Sequence, residues 1–259
     1  MPYHALPDGT RLFFRLSGAG EPTLILLHRW CSNLGHWQPT ARRLRRTHRV
    51  LSVDMRGHGR SDAPADGYGA AQLADDIAAL ARSSRIRGAV IAGHSMGGLL
   101  ALELARRHPA LTRALVLVDS AYDQYATPEA LEETRLWKTV VGSPGTEGVA
   151  RLYRAFFPPG TSPAVRALGR SVVADAARTP RHAALAAWRT TLTADIPAIA
   201  RDVRHPVLFV NASHNNRTAA GLRAVLPQAE FAQVAGSGHF VPIEVPEQLA
   251  PMIQRFARG

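Results

Sequence analysis

Ala89-Val90-Ile91-Ala92-Gly93-His94-Ser95-Met96-Gly97-Gly98-Leu99-Leu100-Ala101-Leu102-Glu103-Leu104-Ala105 runs from an apolar stretch, through a glycine-flanked serine, into a series of good helix formers. That order reads as strand, turn, helix. A serine hydroxyl is a weak nucleophile unless it is exposed, held rigidly and placed beside a base. A sharp strand-to-helix turn exposes the serine by forcing it into a strained backbone conformation. Such a turn accommodates only small residues two positions to either side, where Gly93 and Gly97 stand. Ser95 is therefore the candidate nucleophile. A glycine-rich turn that merely holds a serine is the bland alternative, and the flanking pattern argues against it.

Outward from this stretch, strand-like and helix-like runs alternate. Residues 11–16 and 23–27 read as strands and 37–46 as a helix. Arg49-Val50-Leu51-Ser52-Val53 is again a strand, ended by the turn Arg56-Gly57-His58-Gly59-Arg60-Ser61. Residues 70–82 form a helix before the Ser95 strand, and Ala114-Leu115-Val116-Leu117-Val118-Asp119 is a further buried strand. Continuous apolar strands separated by helices indicate a mostly parallel α/β sheet covered on both faces. The alternation stops over residues 121–204, where helical pieces are broken at Gly142-Ser143-Pro144-Gly145, Pro158-Pro159-Gly160 and Thr179-Pro180. It resumes with a strand at 206–210, a helix near 219–225, a short strand around Phe231 and a final helix from about Pro246. The expected organisation is a core of residues 1–120 and 205–259 with a helical lid, 121–204, over the carboxyl ends of the strands, where open α/β sheets bind ligands.

Composition bounds the function classes. At 259 residues and 46% hydrophobic, the chain can bury the core of one large α/β domain. No apolar run approaches membrane-spanning length, and Met1-Pro2-Tyr3-His4-Ala5-Leu6-Pro7-Asp8 has no signal-peptide pattern. A single cysteine, Cys31, leaves no internal disulfide, so a reducing cytoplasm is the expected location. The formal charge of +11 invites a nucleic-acid partner. The arginines are nevertheless scattered, with Arg42-Arg43-Leu44-Arg45-Arg46 the dense cluster and Lys138 the sole lysine. No nucleic-acid or membrane partner is expected; a small-molecule substrate is, and a homodimer is left open.

A nucleophilic serine needs a base. Of eleven histidines, His239 in Gly236-Ser237-Gly238-His239-Phe240 lies in a flexible loop just past the last predicted strand, at the sheet edge that carries Ser95. His94 and His58 sit in turns and read as structural hydrogen-bonders. No histidine pair has zinc-ligand spacing, so no metal site is expected.

With Ser95, the turn Asp54-Met55-Arg56-Gly57-His58-Gly59-Arg60-Ser61, the loop His28-Arg29-Trp30 and Gly238-His239, the chain resembles the α/β-hydrolase superfamily over nearly its whole length. The resemblance implies a triad in the order serine, acid, histidine. It also implies an oxyanion hole of two backbone amides, which fall here on Met96 and Trp30. Hydrolysis through an acyl-enzyme needs no cofactor.

Two departures from the family pattern carry information. The usual acid, a few residues beyond the strand preceding the histidine, falls on Asn215, and no carboxylate follows before Glu230. Asparagine can orient an imidazole but cannot stabilise the imidazolium. A subset of the superfamily carries the acid at the end of the strand after the elbow helix, which is Asp119. Asp119 is therefore favoured over its reading as a strand-end cap, with Asp123 a distant third. The second departure is Arg29, where relatives typically have glycine so that the backbone can bend towards the oxyanion. Arg29 is expected to point outward to solvent; the alternative is a fixed positive charge near the pocket.

The leading expectation is a serine hydrolase of a small ester, lactone or thioester. Ser95 would attack, His239 would move the proton and Asp119 would hold the imidazole. The segment His28-Arg29-Trp30-Cys31, the acid at Asp119 and the vacant position at Asn215 also resemble cofactor-free 2,4-dioxygenases of hydroxy-quinolones, which usually have a histidine where this chain has Ser32. A carbon–carbon bond hydrolase using the same residues and a non-catalytic ligand receptor of the same fold are the remaining alternatives. Trp137, Tyr153, Phe156, Phe157 and Trp188 either line an apolar pocket or form the core of the lid.

Overall fold

A computed structural model describes residues 2–123, 126–143, 147–154, 156, 163–213 and 215–259. Eight strands form one sheet: β1 (Tyr3–Ala5), β2 (Arg11–Ser17), β3 (Leu24–Leu27), β4 (Val50–Val53), β5 (Ala89–His94), β6 (Thr112–Val118), β7 (Val207–Asn211) and β8 (Ala229–Gln233). Their order across the sheet is β1-β2-β4-β3-β5-β6-β7-β8. β2 pairs antiparallel with β1 and β4, and all remaining pairs are parallel. Every residue of β3, β4, β5 and β7 is buried, as strands covered by helices on both faces require.

The two-residue period of a strand sorts these side chains into two cores. Ile25, Leu27, Ile91, Leu115 and Phe209 pack with Leu73 and Ile77 of the helix Ala70–Ser83 and with Leu100 and Leu104 of the helix Met96–Arg107. Their neighbours Leu24, Leu26, Val90, Val116 and Val210 face the other way. They meet Ala41 and Leu44 of the helix Gln38–Leu44 and Leu249 and Ile253 of the helix Pro246–Arg258. Each fully buried side chain of this size contributes roughly 1.5–3 kcal/mol.

Between β6 and β7 lie the helices Arg135–Val141, Glu147–Arg154, Pro163–Ala176, Arg181–Thr193 and Ile196–Arg201. Side chains fasten this segment to the loops at the carboxyl ends of the strands. The Trp30 indole Nε1 donates to the Ala184 carbonyl (2.8 Å), and the Thr190 hydroxyl donates to the Tyr68 carbonyl (2.9 Å). The breaks expected at Pro144-Gly145 and Pro158-Pro159-Gly160 lie outside the described residues. Among the described residues no helix is long and apolar enough to cross a membrane.

Candidate active site

Four strand ends build the site. β5 runs directly into the helix Met96–Arg107, and Ser95 at the junction has φ 55° and ψ −117°. A β-carbon at Gly93 would collide with the Gly97 carbonyl, and one at Gly97 with the Leu27 carbonyl of β3. The glycines therefore let helix, elbow and neighbouring strand approach. The Ser95 backbone is held twice: its N–H donates to the Val118 carbonyl (3.0 Å), and its carbonyl accepts from the Ser120 hydroxyl (2.8 Å). Ser120 carries no sequence signal that distinguishes it from any other serine.

Asp119 follows β6 with φ 42°, another uncommon conformation for a residue other than glycine, and its side chain is 1% exposed. Its Oδ2 lies 2.7 Å from Nδ1 of His239, and its Oδ1 accepts from Nδ2 of Asn215 (3.0 Å). A carboxylate only accepts, so Nδ1 of His239 is the donor, and in the neutral ring the lone pair sits on Nε2. Burial pushes the Asp119 carboxyl up. The hydrogen bond and charge of His239, with the Asn215 amide, outweigh burial and hold it well below the usual carboxylate range. Asn215 thus contacts Asp119, and the salt-bridged carboxylate of His239 is Asp119. Asp123 is exposed and faces Arg217 at 3.9 Å.

The histidine loop is pinned from below. His94 Nε2 donates to the His239 carbonyl at 2.7 Å, and burial, with the nearby His239, holds the His94 pKa well below the ordinary histidine value. His58 is likewise buried, with Nδ1 donating to the Arg56 carbonyl (2.9 Å). The Phe156 ring stacks on the His239 imidazole with centroids 4.9 Å apart.

The turn after β3 carries Trp30. His28 accepts the Met55 N–H at Nε2 (3.0 Å), which leaves Nδ1–H to donate to the Arg29 carbonyl (2.7 Å). That carbonyl belongs to the peptide bearing the Trp30 N–H. The Trp30 carbonyl accepts from the Tyr153 hydroxyl and from Nη1 of Arg29 (3.2 Å). Among the described residues, neither the Trp30 nor the Met96 N–H is given to a hydrogen-bond partner. Arg29 corrects the outward expectation: it is 1% exposed and turned into the protein. The ring faces of Tyr153 and Phe240, far along the chain, and two nearby buried acceptors, the Trp30 carbonyl and Nδ1 of His36, draw it inward.

Ser95, Met96, Trp30, Asp119, Asn215 and His239 all line a cavity of about 510 Å³. Leu99, Leu152, Tyr153, Phe156, Trp188 and Ile196 give it apolar walls, while Thr191, Asn216 and Arg217 supply polar atoms. Of the aromatic residues singled out in the segment between β6 and β7, Tyr153, Phe156 and Trp188 reach the cavity. Trp137 packs with Leu131 and Leu192 instead, and Phe157 lies outside the described residues. Among the described residues no group of three or more histidines, cysteines and carboxylates could hold a metal ion.

Comparison with known proteins agrees with this architecture. A profile described as the alpha/beta hydrolase family matches residues 24–252. The 2-(acetamidomethylene)succinate hydrolase of Mesorhizobium japonicum is 30% identical over 252 residues, covering 93% of this chain and 90% of that protein. A pimeloyl-[acyl-carrier protein] methyl ester esterase of Sodalis glossinidius is 39% identical over a shorter region, 42% of this chain and 41% of that protein. Among solved structures, the enol-lactonase from Burkholderia xenovorans LB400 superimposes with a TM-score of 0.84 at 26% identity, covering 100% of both chains. With the profile spanning most of its length and the whole architecture shared with such enzymes, the chain is a hydrolase that belongs to the alpha/beta hydrolase family.

Proposed function

We propose that this hydrolase is a serine enzyme that cleaves a small carboxylic ester, lactone or thioester through an acyl-enzyme. The observation that carries the reading is the 2.7 Å contact between Asp119 and Nδ1 of His239, beside a strained Ser95 in the same cavity. His239 Nε2 takes the Ser95 proton as Oγ bonds to the substrate carbonyl carbon, and Asp119 stabilises the resulting imidazolium. The Trp30 and Met96 N–H groups receive the oxyanion. The proton passes from His239 to the departing alkoxide or thiolate. Water, deprotonated by the same imidazole, then releases the acid and restores Ser95. The helical segment 121–204 acts as the lid that governs entry.

A serine-directed fluorophosphonate should add its mass to the peptide containing Ser95, and Ser95→Ala should abolish both labelling and turnover. Labelling that persists in Ser95→Ala would reject the assignment.

The cavity also favours a substrate that carries a carboxylate. Arg217 lines this cavity with its side chain 16% exposed, which places a guanidinium within reach of a bound ligand. A guanidinium matches a carboxylate in geometry and charge, so a substrate anion bound in this cavity would gain a charge-assisted contact from Arg217. The named substrate of the Mesorhizobium relative, a substituted succinate, is of this class. A monoester of a dicarboxylic acid should be preferred over the neutral diester of equal length. Arg217→Gln should raise KM for the monoester about tenfold, the loss of one charge-assisted contact of about 1.4 kcal/mol, and leave the diester nearly unchanged. Equal kcat/KM for the two esters in the parent protein would reject this preference.

A further inference from the structure

Arg29 places a long cation where burial is costly. Among the described residues it has no carboxylate at ion-pair distance, and a guanidinium keeps its charge even when desolvated. Compensation comes from specific neighbours. Nη1 donates to the Trp30 carbonyl (3.2 Å) and Nη2 to Nδ1 of His36 (3.1 Å). The other nitrogen of His36 lies 3.0 Å from Oδ2 of Asp175. A guanidinium only donates and a carboxylate only accepts, so His36 is a neutral relay with its proton on Nε2. The guanidinium carbon also lies 4.3 Å from the Tyr153 ring centroid and 4.5 Å from that of Phe240.

Each contact belongs to a segment that frames Ser95. Trp30 is in the turn after β3, and Phe240 directly follows His239. Tyr153 and Asp175 sit on helices between β6 and β7, and the Tyr153 hydroxyl shares the Trp30 carbonyl with Arg29. The backbone around the Trp30 N–H is therefore held on both sides, by His28 at the Arg29 carbonyl and by Arg29 with Tyr153 at the Trp30 carbonyl. An oxyanion donor is effective when it is aligned before the charge develops.

We propose that Arg29 is a positioning residue that fixes the Trp30 peptide for oxyanion binding and ties that turn to the His239 loop and to the overlying helices, a role that rests on the acyl-transfer reading. Arg29 is not among the residues that line the cavity, and it acts through Trp30.

Arg29→Met keeps an unbranched chain against Tyr153 and Phe240 and removes both donors. Its kcat should fall about 10- to 100-fold, less than the loss from deleting an oxyanion donor outright, with KM within about twofold. Affinity for an alkyl boronic acid, which forms a tetrahedral adduct on Ser95 Oγ, should fall by the same factor. Asp175→Asn, which weakens the relay while leaving Arg29 in place, should show the same pattern at about three- to tenfold. A merely structural role would lower the thermal midpoint and the active fraction, and leave boronate affinity of the folded protein unchanged. A folded Arg29→Met with kcat and boronate affinity within about twofold of the parent overturns the assignment. Should Arg29→Met not fold, Asp175→Asn and Tyr153→Phe decide, and unchanged boronate affinity in both overturns it. Failure of the unmodified protein to label at Ser95 would overturn the acyl-transfer reading and this role together; labelling with an indifferent Arg29 would overturn this role alone.

Discussion

In the proposed triad, Asp119 and Asn215 would divide between them a task that a single aspartate performs in the commoner arrangement. The Asp119 carboxylate gives one oxygen to His239 and the other to the Asn215 amide, so Asn215 can orient the acid without carrying charge itself. The two residues should then differ sharply on substitution. Asp119→Asn removes the charge that stabilises the imidazolium and should lower kcat by roughly 10³–10⁴. Asn215→Ala removes one hydrogen bond to a carboxylate that keeps its other partner, and should cost about three- to tenfold. Adding Asn215→Asp to the Asp119→Asn variant returns a carboxylate to the cluster and should recover part of the lost rate. Steady-state kinetics on a chromogenic ester measure all three. Greater damage from Asn215→Ala than from Asp119→Asn would reject the division of roles.

Elements whose stability is local were legible before their partners were known. The strands β3 to β7 announce themselves as apolar runs, and the Ser95 elbow by glycines that packing requires on either side. His239 was legible from its glycine-flanked loop beyond the last strand. β1 was not: Tyr3-His4-Ala5 is a short edge strand with one intermediate and two exposed residues, and it is defined by pairing with Phe13, Leu12 and Arg11 of β2 rather than by pattern. The 3₁₀ turn Leu34–Trp37 is not marked in the sequence, where the helix is expected only from residue 37; a single cap, Asn33 accepting from the Gly35 N–H, defines it. The inward turn of Arg29 escaped for a related reason. An arginine in isolation belongs in water, and the Trp30 and His36 acceptors close in sequence do not hold it inside without the rings of Tyr153 and Phe240 and, behind His36, Asp175, all more than a hundred residues away. Sequence pattern reports what a residue prefers, whereas long-range packing decides which preferences are overridden.

Across the whole molecule, neutral histidines are packed at the carboxyl ends of the strands, and they set its response to acid. Burial holds His36 and His58 down to about 4, and His28 and His94 well below the ordinary value of 6.5. A histidine whose folded pKa lies below its unfolded value binds a proton more readily in the unfolded chain. Between about pH 4 and pH 6.5 the unfolded state therefore holds more protons, and stability falls as pH is lowered through that window. His36 and His58 each withhold roughly 2 kcal/mol at about pH 5, and His28 and His94 act in the same direction. The Asp54 carboxyl, pushed up by burial, opposes this trend as a single group. Asp119 and Asp175, both depressed, lose their contribution only at lower pH, below the ordinary carboxylate range. A formal charge of +11 at neutral pH, which rises as histidines protonate, acts in the same direction as the histidines. The thermal midpoint should accordingly fall steeply between about pH 6.5 and pH 5, well before carboxylates titrate. His58→Gln, which removes one of the four without touching the cavity, should make the decline shallower by about one proton. A midpoint that stays level from neutral pH to about pH 5 would mean that these rings are protonated in the folded protein, contrary to their burial and hydrogen bonding.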